Sequence, residues 1–372
     1  MLKVLLAGGG TAGHVNPALA IAEIIRDYHP DAVFLFAGTP FGLEAKLIPK
    51  AGYEFTPLKV KGFQRKLSVK NIGRNIKAAY YLAFAGARAK KIIEDFKPDI
   101  VIGTGGYVSG PVVMKAAKMG IKTAIHEQNA YPGVTTKLLA KHVDAVMLTV
   151  EEAKKYLDPN IEYTVTGLPV RSGFNSITKE QARKQLGLDD SICILSSGGS
   201  LGAGRINETV ADLMAWYEGN LTVNHIHSFG GMGKDTFLND LQSKGVDISS
   251  NKRLTAKEYI DNMPVCMAAA DLVISRCGAN SLYELQSMGR GSILIPSPIV
   301  AGNHQYHNGM VLQKAGAAIV IEQKNLTSEL LIQTVKELCE NRSRLNELSD
   351  NAKKLCIKDT NERIYEVISK LI

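Results

Sequence analysis

His14 directly follows the glycine-rich run Gly8-Gly9-Gly10-Thr11-Ala12-Gly13 and precedes Val15-Asn16-Pro17 at the top of a helical stretch. The positive end of a helix favours the neutral imidazole, the form that can accept a proton from a reacting hydroxyl. A carboxylate, Glu284, falls about a turn and a half into the helix opened by Ser275-Arg276-Cys277-Gly278-Ala279. Strand, glycine turn and helix N-terminus together can hold a diphosphate, and a carboxylate there is within reach of a ribose diol. The polar run Ala301-Gly302-Asn303-His304-Gln305-Tyr306-His307-Asn308 follows a buried-looking strand. Its two histidines lack a nearby carboxylate or third ligand, so sugar contacts and capping fit them better than a metal. His126-Glu127-Gln128-Asn129 follows another strand; it can supply donors and acceptors to hydroxyls, or cap a helix through Asn129.

These residues need strands and turns to place them, and glycine marks where. Three glycine-rich loops each follow an apolar run and precede a helical stretch: Gly8–Gly13, Gly103–Gly110 and Ser196–Gly204. That is the phosphate-binding corner of an α/β sheet. The first loop fits G-x-G-x-x-G literally, which alone would suggest a dinucleotide. The second strand, however, ends Phe36-Ala37-Gly38-Thr39-Pro40, without the acid that would hold a ribose, and His14 stands where a pyrophosphate would lie. A redox dehydrogenase is therefore disfavoured.

Strands and helices alternate throughout. Expected strands are Lys3–Ala7, Ala32–Ala37, Glu54–Pro57, Ile100–Gly103, Thr123–His126, Ala145–Leu148 and Tyr163–Val165, then Ile192–Ser196, Val223–Ser228, a short one at Leu254, Leu272–Ser275, Ser292–Ile295 and Ala318–Ile321. Apolar runs without strict alternation indicate parallel sheets covered on both faces. Thr166-Gly167-Leu168-Pro169-Val170-Arg171 breaks the pattern and reads as an interdomain linker. At 372 residues, two α/β domains with a ligand cleft at the strand ends are expected: residues 1–165 with a returning C-terminal helix 352–372, and residues 166–351.

The five cysteines form no C-x-x-C pair and read as reduced thiols in a cytosolic chain. The longest continuous apolar stretch in the basic region, Ala78 to Ala87, is far short of the ~20 residues a membrane span needs. Charge is uneven: residues 1–165 hold 22 Lys/Arg and 14 Asp/Glu, the remainder 22 of each. Phe55–Ile93 carries ten basic residues and no acid, interleaved with Phe63, Leu67, Ile72, Tyr80, Tyr81 and Phe84. That pattern suits an anionic membrane face, and it equally suits a solvated helix with an ordinary core face. No nucleic-acid-binding module accompanies the charge.

Taken in order, Gly9-Gly-Thr-Ala-Gly-His-Val-Asn-Pro-Ala18, Gly105-Gly-Tyr-Val-Ser-Gly-Pro111, His126-Glu-Gln-Asn129, Gly198-Gly-Ser-Leu-Gly-Ala203, Ser275-Arg-Cys-Gly-Ala279, Glu284 and Asn303-His-Gln-Tyr306 span nearly the whole chain. The sequence resembles the MurG family of bacterial N-acetylglucosaminyltransferases. The resemblance implies the GT-B architecture, two Rossmann-like parallel-sheet domains facing a deep cleft. It implies inverting transfer of GlcNAc from UDP-GlcNAc to the MurNAc C4 hydroxyl of lipid I (undecaprenyl-pyrophosphoryl-MurNAc-pentapeptide), giving lipid II for peptidoglycan synthesis. His14 is then the implied general base. Thr11, Ala12, Gly13, His14, Asn129, Arg171, Ser200, Ile260, Arg276, Ala279, Glu284 and Gln305 are implied to contact UDP-GlcNAc. Among them, Glu284 would hold the ribose, Ser200 and the 276–281 turn the diphosphate, backbone near Ile260 the uracil, and Gln305 with His304 the sugar. Gly10, Gly105, Gly106, Tyr107, His126 and Glu127 would serve the acceptor, as would Thr11, His14 and Asn129. The resemblance further implies that no cofactor or metal is required, divalent cations acting at most as stimulants. It implies peripheral binding to the cytoplasmic face of an anionic membrane, and no nucleic-acid partner. Another GT-B enzyme, such as a glycolipid synthase or UDP-GlcNAc epimerase, is the alternative. Three positions depart from the family pattern: Ala12 (often Gly), Leu168 (often Asn) and Gly291 (usually Pro).

Overall fold

The computed structural model describes residues 1–60, 69–169 and 177–372, with the side chains of 69–80 and 82 also outside the description. Strand β1 (Lys3–Gly8) shows why the sheets form as they do. Val4 and Leu6 enter one core, with Leu19 and Ile25 of the helix Ala12–Tyr28; Leu5 and Ala7 enter another, with Val112 and Val113 of the helix Gly106–Lys118. A strand apolar on both faces needs helices on both, which is the parallel α/β solution.

The first sheet runs β3-β2-β1-β4-β5-β6-β7, all parallel, with β2 Val33–Gly38, β3 Glu54–Pro57, β4 Ile100–Gly105, β5 Lys122–Glu127, β6 Ala145–Leu148 and β7 Thr164–Val165. The second runs β10-β9-β8-β11-β12-β13, also parallel, with β8 Ile192–Ser197, β9 Val223–Ser228, β10 Leu254–Lys257, β11 Leu272–Ser275, β12 Gly291–Leu294 and β13 Ala318–Val320. Each expected strand is present, its ends shifted by a few residues. In both sheets the strand order reverses direction beside the first strand, between β1 and β4 and between β8 and β11. Open α/β sheets bind ligands at such switch points, outside the carboxyl ends of the strands. The first two glycine loops leave β1 and β4; the third leaves β8, and the turn before Ala279 leaves β11.

The chain forms two units, Met1–Arg171 with Ile357–Ile372, and Ser172–Cys356. Residues that the Gly-Pro break placed at the start of the second half pack on the first unit. The Thr166 N–H donates to Leu148 O at 2.9 Å, and Leu168 is fully buried. The helix Arg342–Lys354 stays with the second unit, where Leu345 and Leu348 join its core. Only the last helix, Thr360–Ser369, returns to the first unit, burying Ile364 and Ile368 in the core that holds Val4 and Leu6. Gly291 lies against this second-unit helix: its N–H donates to Ser349 Oγ at 3.0 Å, a bond that proline could not make.

Candidate active site

In the first unit, the loops after β1 and β4 pack into one body around His14. Gly105 and Gly106 both have positive φ, +104° and +79°. A Cβ on Gly106 would run into the Gly9 carbonyl oxygen, and one on Gly105 would sit 2.7 Å from His14 Nδ1. A register shift beside Ala7/Gly8 leaves Thr104 out of the β1–β4 pairing, and its hydroxyl donates to the His14 carbonyl oxygen at 2.8 Å. The second loop's glycines are therefore explained in part by the close approach of the first loop.

Gly10 differs from them: it is exposed, has φ +88°, and has open space where a Cβ would stand. Its N–H donates to Glu44 Oε2 at 2.9 Å. Glu44 is fully buried, and its other oxygen accepts the Thr39 N–H and hydroxyl. This carboxylate braces the first loop from beneath, although the end of β2 itself carries no acid. Glu44 stands six residues past that end, as the first residue of the helix Glu44–Lys50. Thr11 is the extended N-cap of the helix Ala12–Tyr28, which has no side-chain cap bond and no acid in its first turn. Ala12 and Gly13 occupy that turn, so the helix end remains receptive to an anion. Tyr107, near the start of the helix Gly106–Lys118, is 58% exposed.

His14 is half-buried, with Nδ1 3.0 Å from Gln128 Oε1. Gln128 Nε2 lies 2.7 Å from His126 O and 3.2 Å from His126 Nδ1, and His126 Nε2 is 2.9 Å from Gly167 O. Burial pushes His126 down to about 4, so the ring is neutral. Glu127 is also buried. One oxygen accepts the Asn129 N–H and side-chain amide, both at 3.0 Å; the other accepts the Gly133 N–H and the Thr136 hydroxyl. The structure thus places His126 and Glu127 inside the unit, their polar atoms bonded to their own chain.

In the second unit, Gly199 and Ser200 are exposed at the third loop; Gly199 has φ +89° and open space at its Cβ position. Gly198 and Gly202 are packed instead, against Ala203 and Phe229. The helix Gly204–Trp216 that follows has no side-chain cap and no acid in its first turn. The same holds for the helix Ala279–Met288 after β11, whose N-cap is Gly278. Two uncapped helix ends thus lie beside one switch point, with backbone N–H groups of the kind that can receive an anion.

Arg276 donates to Ile295 O (3.1 Å), Pro296 O (3.3 Å) and Gln323 Oε1 (2.6 Å), so its guanidinium braces the segment after β12. Glu284 is half-buried and its carboxylate bonds to no described residue; burial pushes it up to about 7. Ile260 is buried in the loop after β10. Gln305 Oε1 accepts the Ser297 N–H at 2.8 Å, which leaves its amide N–H groups for a ligand. His304 Nδ1 donates to Ala301 O at 2.8 Å. Arg171 lies outside the described residues. Among the described residues, no group of three His, Cys, Asp or Glu side chains is arranged to hold a metal ion.

Residues 4–148 match the Glycosyltransferase family 28 N-terminal domain, and residues 193–364 its C-terminal domain. The chain is 43% identical over 373 residues to the UDP-N-acetylglucosamine--N-acetylmuramyl-(pentapeptide) pyrophosphoryl-undecaprenol N-acetylglucosamine transferase of Acetivibrio thermocellus, covering 100% of this chain and 98% of that one. The enzyme of the same name from Thermoanaerobacter sp. is 43% identical over 372 residues, covering both chains fully. Among solved structures, Acinetobacter baumannii MurG superposes with a TM-score of 0.79 at 27% identity over 100% of both chains. A UDP-GlcNAc 2-epimerase from Neisseria meningitidis gives 0.66 at 15% identity over 99% of this chain and 100% of that one, a likeness of fold alone.

Proposed function

The chain belongs to glycosyltransferase family 28, and from that premise we propose that it transfers GlcNAc from UDP-GlcNAc to the MurNAc C4 hydroxyl of undecaprenyl-pyrophosphoryl-MurNAc-pentapeptide. The observation that carries the reading is His14, held by two glycine loops at the first unit's switch point with Nε2 free of any described partner. The acceptor O4 attacks the anomeric carbon of the α-linked donor from the opposite face, and the product is β-linked. As the C1–O4 bond forms, the hydroxyl proton passes to His14 Nε2. The C1–O bond to UDP breaks, and its electron pair leaves on the β-phosphate oxygen.

That departing charge needs donors. The uncapped helix ends at Gly204 and Ala279, with Ser200, supply N–H and O–H groups for it. In this reading Glu284 takes the ribose hydroxyls, backbone near Ile260 the uracil, and Gln305 and His304 the sugar. Arg276 shapes the loop that carries them, and Arg171 supports the diphosphate. Thr11, Ala12, Gly13, Tyr107 and Asn129 border the reacting sugars. Gly10, Gly105 and Gly106 shape the acceptor's pyrophosphate cradle, which His126 and Glu127 support from within. Metal is not required for this arrangement, and divalent cations act only as stimulants.

The basic excess of residues 1–165 serves a lipid-linked acceptor. At about 1 kcal/mol per basic residue near an anionic surface, a few lysines would hold the protein peripherally. No helix among the described residues is long and apolar enough to cross a membrane. Binding to anionic vesicles should therefore be reversible and fall with salt.

UDP release should be measured with lipid I, with diacylglycerol and with no acceptor. Release only with lipid I supports this reading. Release with diacylglycerol would mark a glycolipid synthase, and acceptor-independent turnover an epimerase.

A further inference from the structure

Four groups in the first unit form a hydrogen-bonded chain whose polarity can be read from its ends. At one end, the His126 carbonyl can only accept, so the Gln128 atom 2.7 Å away must be the amide nitrogen. The same nitrogen is 3.2 Å from His126 Nδ1, which must then accept. His126 is neutral, so its proton resides on Nε2. That atom lies 2.9 Å from Gly167 O, a second group that can only accept. The two carbonyls thus demand the same orientation independently. Turning the Gln128 amide over would press oxygen against the His126 carbonyl. It would also move the His126 proton to Nδ1, leaving a lone pair against Gly167. His126 and Gln128 are only 2% and 3% exposed, so water cannot readily satisfy the reversed arrangement.

One atom of the chain remains. Gln128 Oε1 faces His14 Nδ1 at 3.0 Å, and an amide oxygen there requires Nδ1 to carry a proton. We propose that Gln128 is a positioning residue: it fixes the proton of neutral His14 on Nδ1 and so keeps Nε2 bare for the reacting hydroxyl. Two further features set where the ring lies. Gly105, having no Cβ, lets the ring lie close against the second loop, and the Thr104 hydroxyl anchors the His14 backbone carbonyl at 2.8 Å. The arrangement has the logic of a nucleophile–base–orienter triad with a neutral amide as orienter. It selects a tautomer without adding a charge beside the ring.

This inference rests on His14 being the general base, and the test separates the two ideas. In full-length protein labelled with ¹⁵N-histidine, long-range ¹H–¹⁵N correlation at about pH 8.5 reads the tautomer of each neutral ring. His14 is assigned by loss of its signals in His14→Ala. The expected wild-type pattern is Nδ1–H for His14 and Nε2–H for His126. In Gln128→Leu, His14 should shift toward Nε2–H. Its kcat should fall about ten-fold, with KM for UDP-GlcNAc within two-fold. The wild-type tautomer pattern is decisive without any variant at position 128, so the idea stays testable if the leucine variant does not fold. A wild-type His14 protonated on Nε2 would overturn the inference. So would a Gln128→Leu variant that keeps both Nδ1–H and kcat within two-fold of wild type. If instead His14→Ala turns over normally while the tautomer pattern is as expected, the general-base reading falls and the tautomer lock stands.

Discussion

Glu284 is the side chain whose ionisation the fold changes in a way that bears on the donor. Burial without a compensating partner raises its carboxyl to about 7, so it titrates within the working range. Two ribose hydroxyls donate best to the ionised form. UDP affinity relative to that of Glu284→Gln should therefore rise from pH 6 to pH 8; the ratio cancels the ligand's own phosphate titration. A ratio flat across that range, measured by calorimetry, would remove Glu284 from the ribose role. Without ligand the sign reverses. A carboxyl raised on folding contributes stability below its unfolded value that is lost as pH rises through about 7. Glu284→Gln should thus raise the melting temperature more at pH 8 than at pH 6. His14→Ala makes a separate prediction: loss of a general base should lower turnover by at least ~100-fold while UDP binding, assigned to the other unit, persists.

At the scale of elements, the three glycine loops are not interchangeable. Gly10 and Gly199 have nearly equal positive φ and open space around them, so alanine there meets only backbone strain, roughly 1 kcal/mol. Gly106 has positive φ and also meets the Gly9 carbonyl. Gly106→Ala should therefore force the two loops apart, displace His14 and cost turnover ten-fold or more, whereas Gly10→Ala should fold and melt near wild type. Equal activity losses in the two variants would show that ligand contact, not loop packing, selects these glycines.

The same contrast explains what was legible in the sequence. Strands such as β1 and β8 are continuous apolar runs bounded by glycine, so their pattern survives without tertiary information. His14 and Glu284 follow strand and turn so closely that local order places them. Glu44 was not legible as a site residue, and Gln128, though part of the polar run at 126–129, was not legible as a partner of His14. Glu44 reaches Gly10 across 34 residues, and Gln128 reaches His14 across 114. Their roles depend on which strands become neighbours, a property of sheet order rather than of spacing. His126 and Glu127 illustrate the converse. Polar residues just past a strand end resemble ligand donors, but parallel pairing carries them inside, where their own loop takes up their bonds.

At the scale of the whole molecule, the chain leaves the first unit and returns to it with its last sixteen residues, Ile357–Ile372. Ile364 and Ile368 are fully buried in the core shared by β1 and the helix Ala12–Tyr28, and Tyr365 stacks on Tyr28 at 3.6 Å between centroids. At ~1.5–3 kcal/mol per buried side chain, removing these residues forfeits roughly 5 kcal/mol, comparable with the whole stability of an ordinary domain. The second unit keeps Leu331, Val335, Leu338, Leu345 and Leu348 in its own core, all upstream of the return. A chain ending at Cys356 should therefore lose the first unit selectively. Calorimetry should show its transition lowered or absent, limited proteolysis should cut within residues 1–171, and transfer to lipid I should vanish. UDP should still bind with wild-type affinity, because no residue proposed to hold the nucleotide's diphosphate, ribose or uracil lies beyond Cys356. Simultaneous loss of both transitions and of UDP binding would show that the two units fold as one, and that the donor site depends on more than the unit carrying it.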